Sequence, residues 1–278
     1  TPSPPTERTY PTWFFFQRIK RWTNEQLDAL NISFHEEIPP NTLISNNYNP
    51  TRKDREAYAN LLKAFTEPTE LDISEYNPTS TMMRNNKLQN TFHLLSMMWD
   101  IAVKGEAMPF TTDLLLDQLG RPLEVFSENF LIDTEPIPFH LRKFNMNGKL
   151  HCNGGIYHLS DDKRNLPLVV FAKKHRPFHL RPPTTTQKHE ISHVLLPITM
   201  DYDHGLRRPN YTGFCICVYG TEYQITRADA SRTYFEDLCH GRPTNEKLVV
   251  NQTVVYDLMW KEDRRAFLEV FVGMCSFL

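Results

Sequence analysis

The feature that most constrains the fold is a continuous apolar run from Leu166 to Phe171. A short apolar run bounded by turn residues is typical of a strand that is buried on both faces. The polar segment from Asp161 to Asn165 supplies a turn before the run. Pro167 is compatible with a strand, because proline is tolerated near the beginning of one. The sequence therefore predicts a central strand over residues 166–173, in a sheet that helices cover.

The patterns on either side of this run predict an α/β fold. Helices dominate the structure expected for residues 1–105, and strands alternate with helices over residues 106–278. We therefore expect a helical N-terminal region packed on an α/β core with a mixed sheet, as one compact unit. The other strands and helices predicted for the core are Lys149–Leu159, Gln187–Leu196, Gly213–Tyr219, Glu222–Thr226, Asp229–Cys239, Leu248–Tyr256 and Asp263–Phe277.

The composition limits the classes of protein to consider. The 31 Lys and Arg residues are balanced by 33 Asp and Glu residues, which does not favour a nucleic-acid coat but is compatible with a local basic groove. The five cysteines include no Cys-x-x-Cys pair and predict buried free thiols, with Cys215 and Cys217 on one face of a strand. Apolar segments are shorter than the ~20 residues that span a bilayer, and the first residues lack a signal-peptide pattern. We expect no membrane partner and an intracellular location, cytoplasmic or nuclear.

The residues around the apolar run carry the most specific functional pattern. A strand with Gly154 and Gly155 precedes a polar turn, and the buried strand after it ends in Lys173 and Lys174. This segment resembles the PD-(D/E)xK nuclease superfamily, and is most similar to variants found beside kinase-like or Crinkler-type modules in fungal proteins. The resemblance implies a restriction-endonuclease-like mixed sheet flanked by helices, Mg²⁺ as cofactor and nucleic acid as substrate. It also implies a fused kinase-like module or another protein as partner.

The same resemblance assigns roles to individual residues. In this superfamily an Asp on one strand and a Glu-x-Lys at the end of the next converge on one divalent ion, and the Lys steadies charge developing on phosphate. The Lys corresponds to Lys174. The Asp corresponds to a position among residues 153–155 or, with a shift in register, to Asp161 or Asp162 as metal ligand. The remaining implied positions are the accessory pair Gln187 and Glu190 and the nucleic-acid-binding cations Lys173 and Arg176.

Position 172 departs from the pattern of the superfamily. This chain has Ala172 where the superfamily has Glu, and a methyl group cannot bind Mg²⁺, which requires oxygen ligands. The sequence therefore predicts a nucleic-acid-processing or nucleic-acid-binding domain that is catalytically deficient as it stands. The first alternative is a metal-free scaffold of the same fold, which binds other proteins in a larger complex.

A second pattern lies on the helix predicted after the run. His189-Glu190-Ile191-Ser192-His193 has the zincin spacing His-Glu-x-x-His, with two His ligands one helical turn apart and a Glu as general base. A zinc hydrolase is therefore the second alternative, with His204 or Glu236 as third ligand. Against it, Pro197 is expected to end the helix too early. We predict no tightly bound zinc.

A third pattern combines cations with aromatic residues on the predicted hairpin. Such a combination can form a surface that binds phosphates and stacks bases, but an ordinary hairpin with a charged loop is the favoured explanation. The residues concerned are Arg207, Arg208, Tyr211, Phe214, Tyr223 and Arg227.

Overall fold

The computed structural model describes Pro11 and residues 23–44, 52–104, 130–133, 137–150, 152, 154–158, 166–173, 183–205 and 207–277. The N-terminal part consists of short helices and one strand. The first helix begins at a capping box, in which the Thr23 hydroxyl and the Gln26 side chain each accept the other residue's backbone N–H. These elements are α1 (Asn24–Ala29), β1 (Ile32–His35), α2 (Pro40–Leu43), α3 (Arg52–Thr66), α4 (Glu70–Ser74), α5 (Thr81–Asn85) and α6 (Gln89–Val103).

The remaining elements alternate strands with helices. They are β2 (Phe130–Asp133), β3 (Ile137–Leu141), β4 (Met146–Leu150), β5 (Gly155–His158), β6 (Leu166–Lys173), α7 (Pro183–Asp203), β7 (Asn210–Tyr219), β8 (Glu222–Ser231), α8 (Arg232–Cys239), β9 (Leu248–Gln252), β10 (Tyr256–Asp257) and α9 (Lys261–Phe277).

One mixed sheet organises the described residues. Its strand order is β1-β9-β8-β7-β6-β5-β2, with β10 paired to β8. The pairs β6–β7 and β1–β9 are parallel, and the other pairs are antiparallel. The β3–β4 ribbon forms a separate sheet. The α/β class expected from the sequence is confirmed, and so is the interior strand at residues 166–173.

Helices cover both faces of the sheet. Because side chains alternate along a strand, Phe214, Ile216 and Val218 of β7 pack toward α3, α6 and α9. Cys215 and Cys217 point the other way, toward α7 and α8. The packing of α7 on β7 is close, since a Cβ added at Gly213 would lie 2.6 Å from Cγ2 of Ile198. Position 213 therefore requires glycine where the helix crosses the strand.

Two expectations need correction. The N-terminal region is not wholly helical, because Ile32–His35 forms β1, which pairs in parallel with β9 at the edge of the sheet. Pro197 does not end the helix after β6, since α7 continues through it to Asp203. A proline inside a helix removes one main-chain hydrogen bond, and the burial of Leu195, Leu196 and Ile198 against the sheet compensates for this loss.

The N-terminal region shares its core with the rest of the chain. Leu43, Phe65 and Phe92 belong to the same apolar cluster as side chains of β7, β8 and α9. Within the described residues, no helix has the length and apolar composition that crossing a membrane requires.

Candidate functional site

The carboxyl end of β6 is where the resemblance places a Glu-x-Lys. Ala172 pairs with Cys217 of β7, is 1% exposed and belongs to the apolar cluster beneath α7. Lys173 is the last residue of β6, and its side chain lies outside the described set. Lys174 and Arg176 also lie outside the described residues. The described end of β6 therefore presents a buried methyl group where a metal ligand would be needed.

The neighbouring strand β5 offers no carboxylate at this level of the sheet. The backbone N–H of Phe171 donates to the carbonyl of Gly154 at 2.9 Å, and Gly155 pairs with Val170. A side chain at position 155 is excluded, because its Cβ would collide with the carbonyl oxygen of Val169. Asn153, the third position implied by the resemblance, lies outside the described residues.

The alternative acids are connected to the opposite end of β6. Asp161 and Asp162 lie outside the described residues, but the residues that flank their segment, His158 and Leu166, pair with each other. Six residues of strand separate Leu166 from Ala172, a distance of ~20 Å. The segment that carries Asp161 and Asp162 therefore begins and ends ~20 Å from Ala172.

The accessory pair lies on α7. The side chain of Gln187 is outside the described set, whereas Glu190 is fully buried. Its carboxylate accepts a short hydrogen bond from Nε2 of Gln252, which also donates to the Thr226 hydroxyl at 3.2 Å. Gln252 is on β9, three strand spacings or ~14 Å from β6. Glu190 therefore takes part in a buried polar network over β8 and β9, away from Ala172.

The residues of the zincin-like pattern all lie on α7. His193 is 2% exposed and its Nδ1 lies 3.3 Å from the Ser192 hydroxyl, whereas the His189 side chain is outside the described set. The two nominated third ligands make other contacts: Nδ1 of His204 donates to the Met200 carbonyl, and Glu236 binds Arg232. Among the described residues, no group of three His, Cys, Asp or Glu side chains could hold a metal ion. The described side chains of this pattern therefore do not assemble a metal centre.

The described cysteines are free thiols. Cys215 and Cys217 lie on one face of β7 as expected, fully buried and with sulfurs 3.8 Å apart. Burial raises the pKa of the Cys239 thiol to about 11, and burial also raises the pKa of Cys152. Because the thiolate is the reactive form, neither residue is an activated nucleophile.

The aromatic residues of the third pattern belong to the core and not to a base-stacking surface. Tyr211, Phe214 and Tyr223 are buried in the two cores, so none can stack on a base. Arg227 binds Asp229 at 2.8 Å and donates to the Leu43 carbonyl at 2.6 Å, which ties α2 to the sheet. Both observations show that these residues of β7 and β8 stabilise the fold.

The sequence patterns missed the network formed by Glu190, Gln252 and Thr226. Thr226 and Gln252 are paired positions on adjacent strands, separated by 26 residues in the chain. The polar residues at alternate positions of β8, Gln224 and Thr226, were the available signal, because a strand buried on both faces normally carries apolar residues there.

Comparison with known protein families finds none that matches this chain, and comparison with curated proteins finds no relative. The residues at the end of β6 and the polar network beneath α7 are therefore the basis for any functional assignment. Chemically, the described end of β6 is an uncharged strand end, and the cations that follow it in the sequence lie outside the described side chains. It supplies no cluster of oxygen ligands.

Proposed function

We propose that the chain is a PD-(D/E)xK-like domain that binds nucleic acid and does not cleave it by itself. The observation that carries this proposal is the chemistry of the two acid positions. Ala172 occupies the end of β6, and Gly154 and Gly155 occupy the adjacent level of β5. The surrounding topology is compatible with the resemblance, because an antiparallel pair leads through α7 into a parallel strand. The basic residues of the pattern, Lys173, Lys174 and Arg176, remain in the sequence.

Loss of both acids removes catalysis but leaves the contribution of the cations to binding. Mg²⁺ requires near-ideal octahedral oxygen coordination, which a methyl group and two glycines do not supply. Attraction between Lys or Arg and phosphate needs no metal and weakens as the salt concentration rises. A domain of this kind therefore retains affinity without turnover.

The test is an assay of binding and cleavage on the same protein. We expect no Mg²⁺- or Mn²⁺-dependent cleavage of DNA or RNA, and binding of a labelled duplex that weakens as salt rises. The double variant Lys174→Ala and Arg176→Ala should lower the affinity and the salt dependence, by about one unit of log–log slope for each cation that binds a phosphate. Metal-dependent cleavage that disappears in Lys174→Ala would overturn the proposed loss of catalysis. Cleavage that survives Lys174→Ala would place the site elsewhere.

A metal-free scaffold is the second candidate, because apolar side chains are exposed near the start of α9. Trp260 is 53% exposed and Leu71 is 63% exposed. The neighbours of these two residues are in contact, since the N–H of Lys261 donates to Oε1 of Glu70 at 3.1 Å. This candidate is supported if Trp260→Ser abolishes binding to a protein partner, such as a kinase-like module, and leaves nucleic-acid binding unchanged.

The zinc-hydrolase alternative receives no comparable support. A general base must reach the metal-bound water, whereas Glu190 is fully buried and its carboxylate is bound to Gln252. Elemental analysis that found about one zinc per chain, lost in His193→Ala, would restore this alternative.

A further inference from the structure

The β3–β4 ribbon is held against the carboxyl-terminal end of α7. Phe144, in the turn of the ribbon, is buried and meets the ring of Tyr202 edge-on, with centroids 6.2 Å apart. The carboxylate of Asp203 accepts the backbone N–H of Arg142 at 2.9 Å and that of Lys143 at 2.7 Å. The end of α7 therefore fixes the position of this turn.

Four exposed cations belong to the fixed turn or to the segment that follows α7. Arg142 and Lys143 form its outer side, and Arg207 and Arg208 follow α7 in the chain. Lys143 donates from Nζ to the Tyr202 carbonyl at 2.5 Å and lies 4.1 Å from the centre of the Tyr202 ring. Within the described part of the chain, Arg142 and Arg207 form no ion pair with a carboxylate.

The nearby acids are already engaged. Asp203 accepts the two main-chain N–H groups, and Asp201 lies 3.4 Å from Arg208, whose side chain remains 57% exposed. Glu236 binds Arg232 at 2.7 Å, and the N–H of Arg232 donates to the Pro209 carbonyl next to Arg208. Five cations therefore face three carboxylates, a local excess of two positive charges on a chain whose net charge is −2.

We propose that Arg142, Lys143, Arg207 and Arg208, together called the ribbon surface, bind the phosphate backbone of double-stranded nucleic acid. The proposal rests on the proposed function and adds a second contact surface to it. Double-stranded DNA carries one negative charge per ~1.7 Å of its axis, and Arg binds phosphate through two parallel hydrogen bonds.

The ribbon surface is far from the end of β6. Because α7 connects β6 to the parallel strand β7, its carboxyl-terminal end lies where these two strands begin. The length of α7 separates the two surfaces by ~30 Å. One duplex of about nine base pairs spans this distance, since successive bases of a strand rise 3.4 Å.

The experiment compares two charge-reversal variants by fluorescence anisotropy with a labelled 20-base-pair duplex across a range of salt concentrations. The test variant is Arg142→Glu with Arg207→Glu. The matched control is Arg84→Glu with Lys87→Glu, because these residues are also exposed and the change in net charge is the same. We expect the test variant to reduce the slope of log affinity against log salt by about two, one for each phosphate that is no longer bound. The control should bind like the unchanged protein.

The outcomes separate this proposal from the proposed function. Weaker binding by the test variant alone supports the ribbon surface. Equal weakening by test and control shows an effect of overall charge and overturns it. Weakening only by Lys174→Ala with Arg176→Ala also overturns it, while the proposed function stands. Binding to anionic lipid vesicles without binding to the duplex would overturn both.

Discussion

At the scale of single residues, Ala172 decides the metal chemistry. We expect Ala172→Glu to lower the free energy of unfolding by about 3 kcal/mol more than Ala172→Gln, because it buries a charge without a partner among apolar side chains. The two variants have side chains of the same size, so the difference isolates the charge. Denaturant unfolding without divalent metal measures this difference.

The same pair of variants tests whether a second acid reaches this end of β6. We expect no cleavage by Ala172→Glu, because Gly154 and Gly155 supply no second carboxylate. Stabilisation of the Glu variant, but not of the Gln variant, by Mn²⁺ would reveal an additional ligand. Metal-dependent cleavage by the Glu variant would contradict our assignment of the acid positions.

A second prediction at this scale concerns the hydroxyl of Tyr223. This hydroxyl is buried and has no hydrogen-bond partner among the described residues, and burial raises the pKa of Tyr223 well above its usual value. Tyr223→Phe should therefore raise the free energy of unfolding by about 1 kcal/mol, because it removes an unpaired polar group.

Tyr234→Phe is the matched control for Tyr223→Phe. The Tyr234 hydroxyl is also buried, but it donates to the Leu30 carbonyl at 3.0 Å. Its removal should lower stability by about 1 kcal/mol. Both values are obtained from denaturant unfolding, and a loss of stability in Tyr223→Phe would show that its hydroxyl has a partner.

At the scale of elements, the crossing of α7 over β7 depends on Gly213. A Cβ at this position would lie 2.6 Å from Cγ2 of Ile198, and β-branched side chains in helices have little freedom to move. We expect Gly213→Ala to cost about 1–3 kcal/mol of stability through overpacking. Ile198→Ala removes the clashing atom, so the double variant should be more stable than the sum of the single changes predicts. Strict additivity in this double-mutant cycle would contradict the proposed contact.

The elements also show which parts of the fold the sequence predicts. The apolar run predicted β6, and Gly220, with φ of 58°, marks the turn between β7 and β8. The strand β1 was missed because it is only four residues long and pairs with β9, more than 200 residues later in the chain. Helix α7 is longer than the sequence predicts, because burial against the sheet outweighs the local effect of Pro197.

The candidate site was also predictable from the sequence only in part. The sequence identified the end of β6 and the alanine at position 172, since both depend on one local segment. It did not predict that Glu190 binds Gln252, because that contact joins residues 62 positions apart through the order of strands in the sheet. Non-local pairing determines which polar residues meet, and local patterns do not contain it.

At the scale of the whole molecule, Arg264 connects the N-terminal helices to the C-terminal segment. Its guanidinium is fully buried and donates to the carbonyls of Phe65 and Pro68 on one side and to those of Leu258 and Met259 on the other. Burial lowers the pKa of Arg264 to about 10, so it remains charged at neutral pH. This cation is therefore stabilised by main-chain oxygens from both parts of the chain.

We expect Arg264→Met to lower the free energy of unfolding by about 3–5 kcal/mol, because it leaves buried carbonyls without donors. Arg264→Lys should also be destabilising, since a compact ammonium cannot reproduce the planar fork of donors. The neighbouring Arg265 is exposed, so Arg265→Met should change stability by less than about 0.5 kcal/mol.

Fluorescence of variants that keep only Trp99 or only Trp260 reports on α6 and on the start of α9 separately. If the N-terminal helices and the sheet form one folding unit, both tryptophans will report unfolding with the same denaturant midpoint. Two separate midpoints in the unchanged protein would show instead that the helices unfold independently of the sheet.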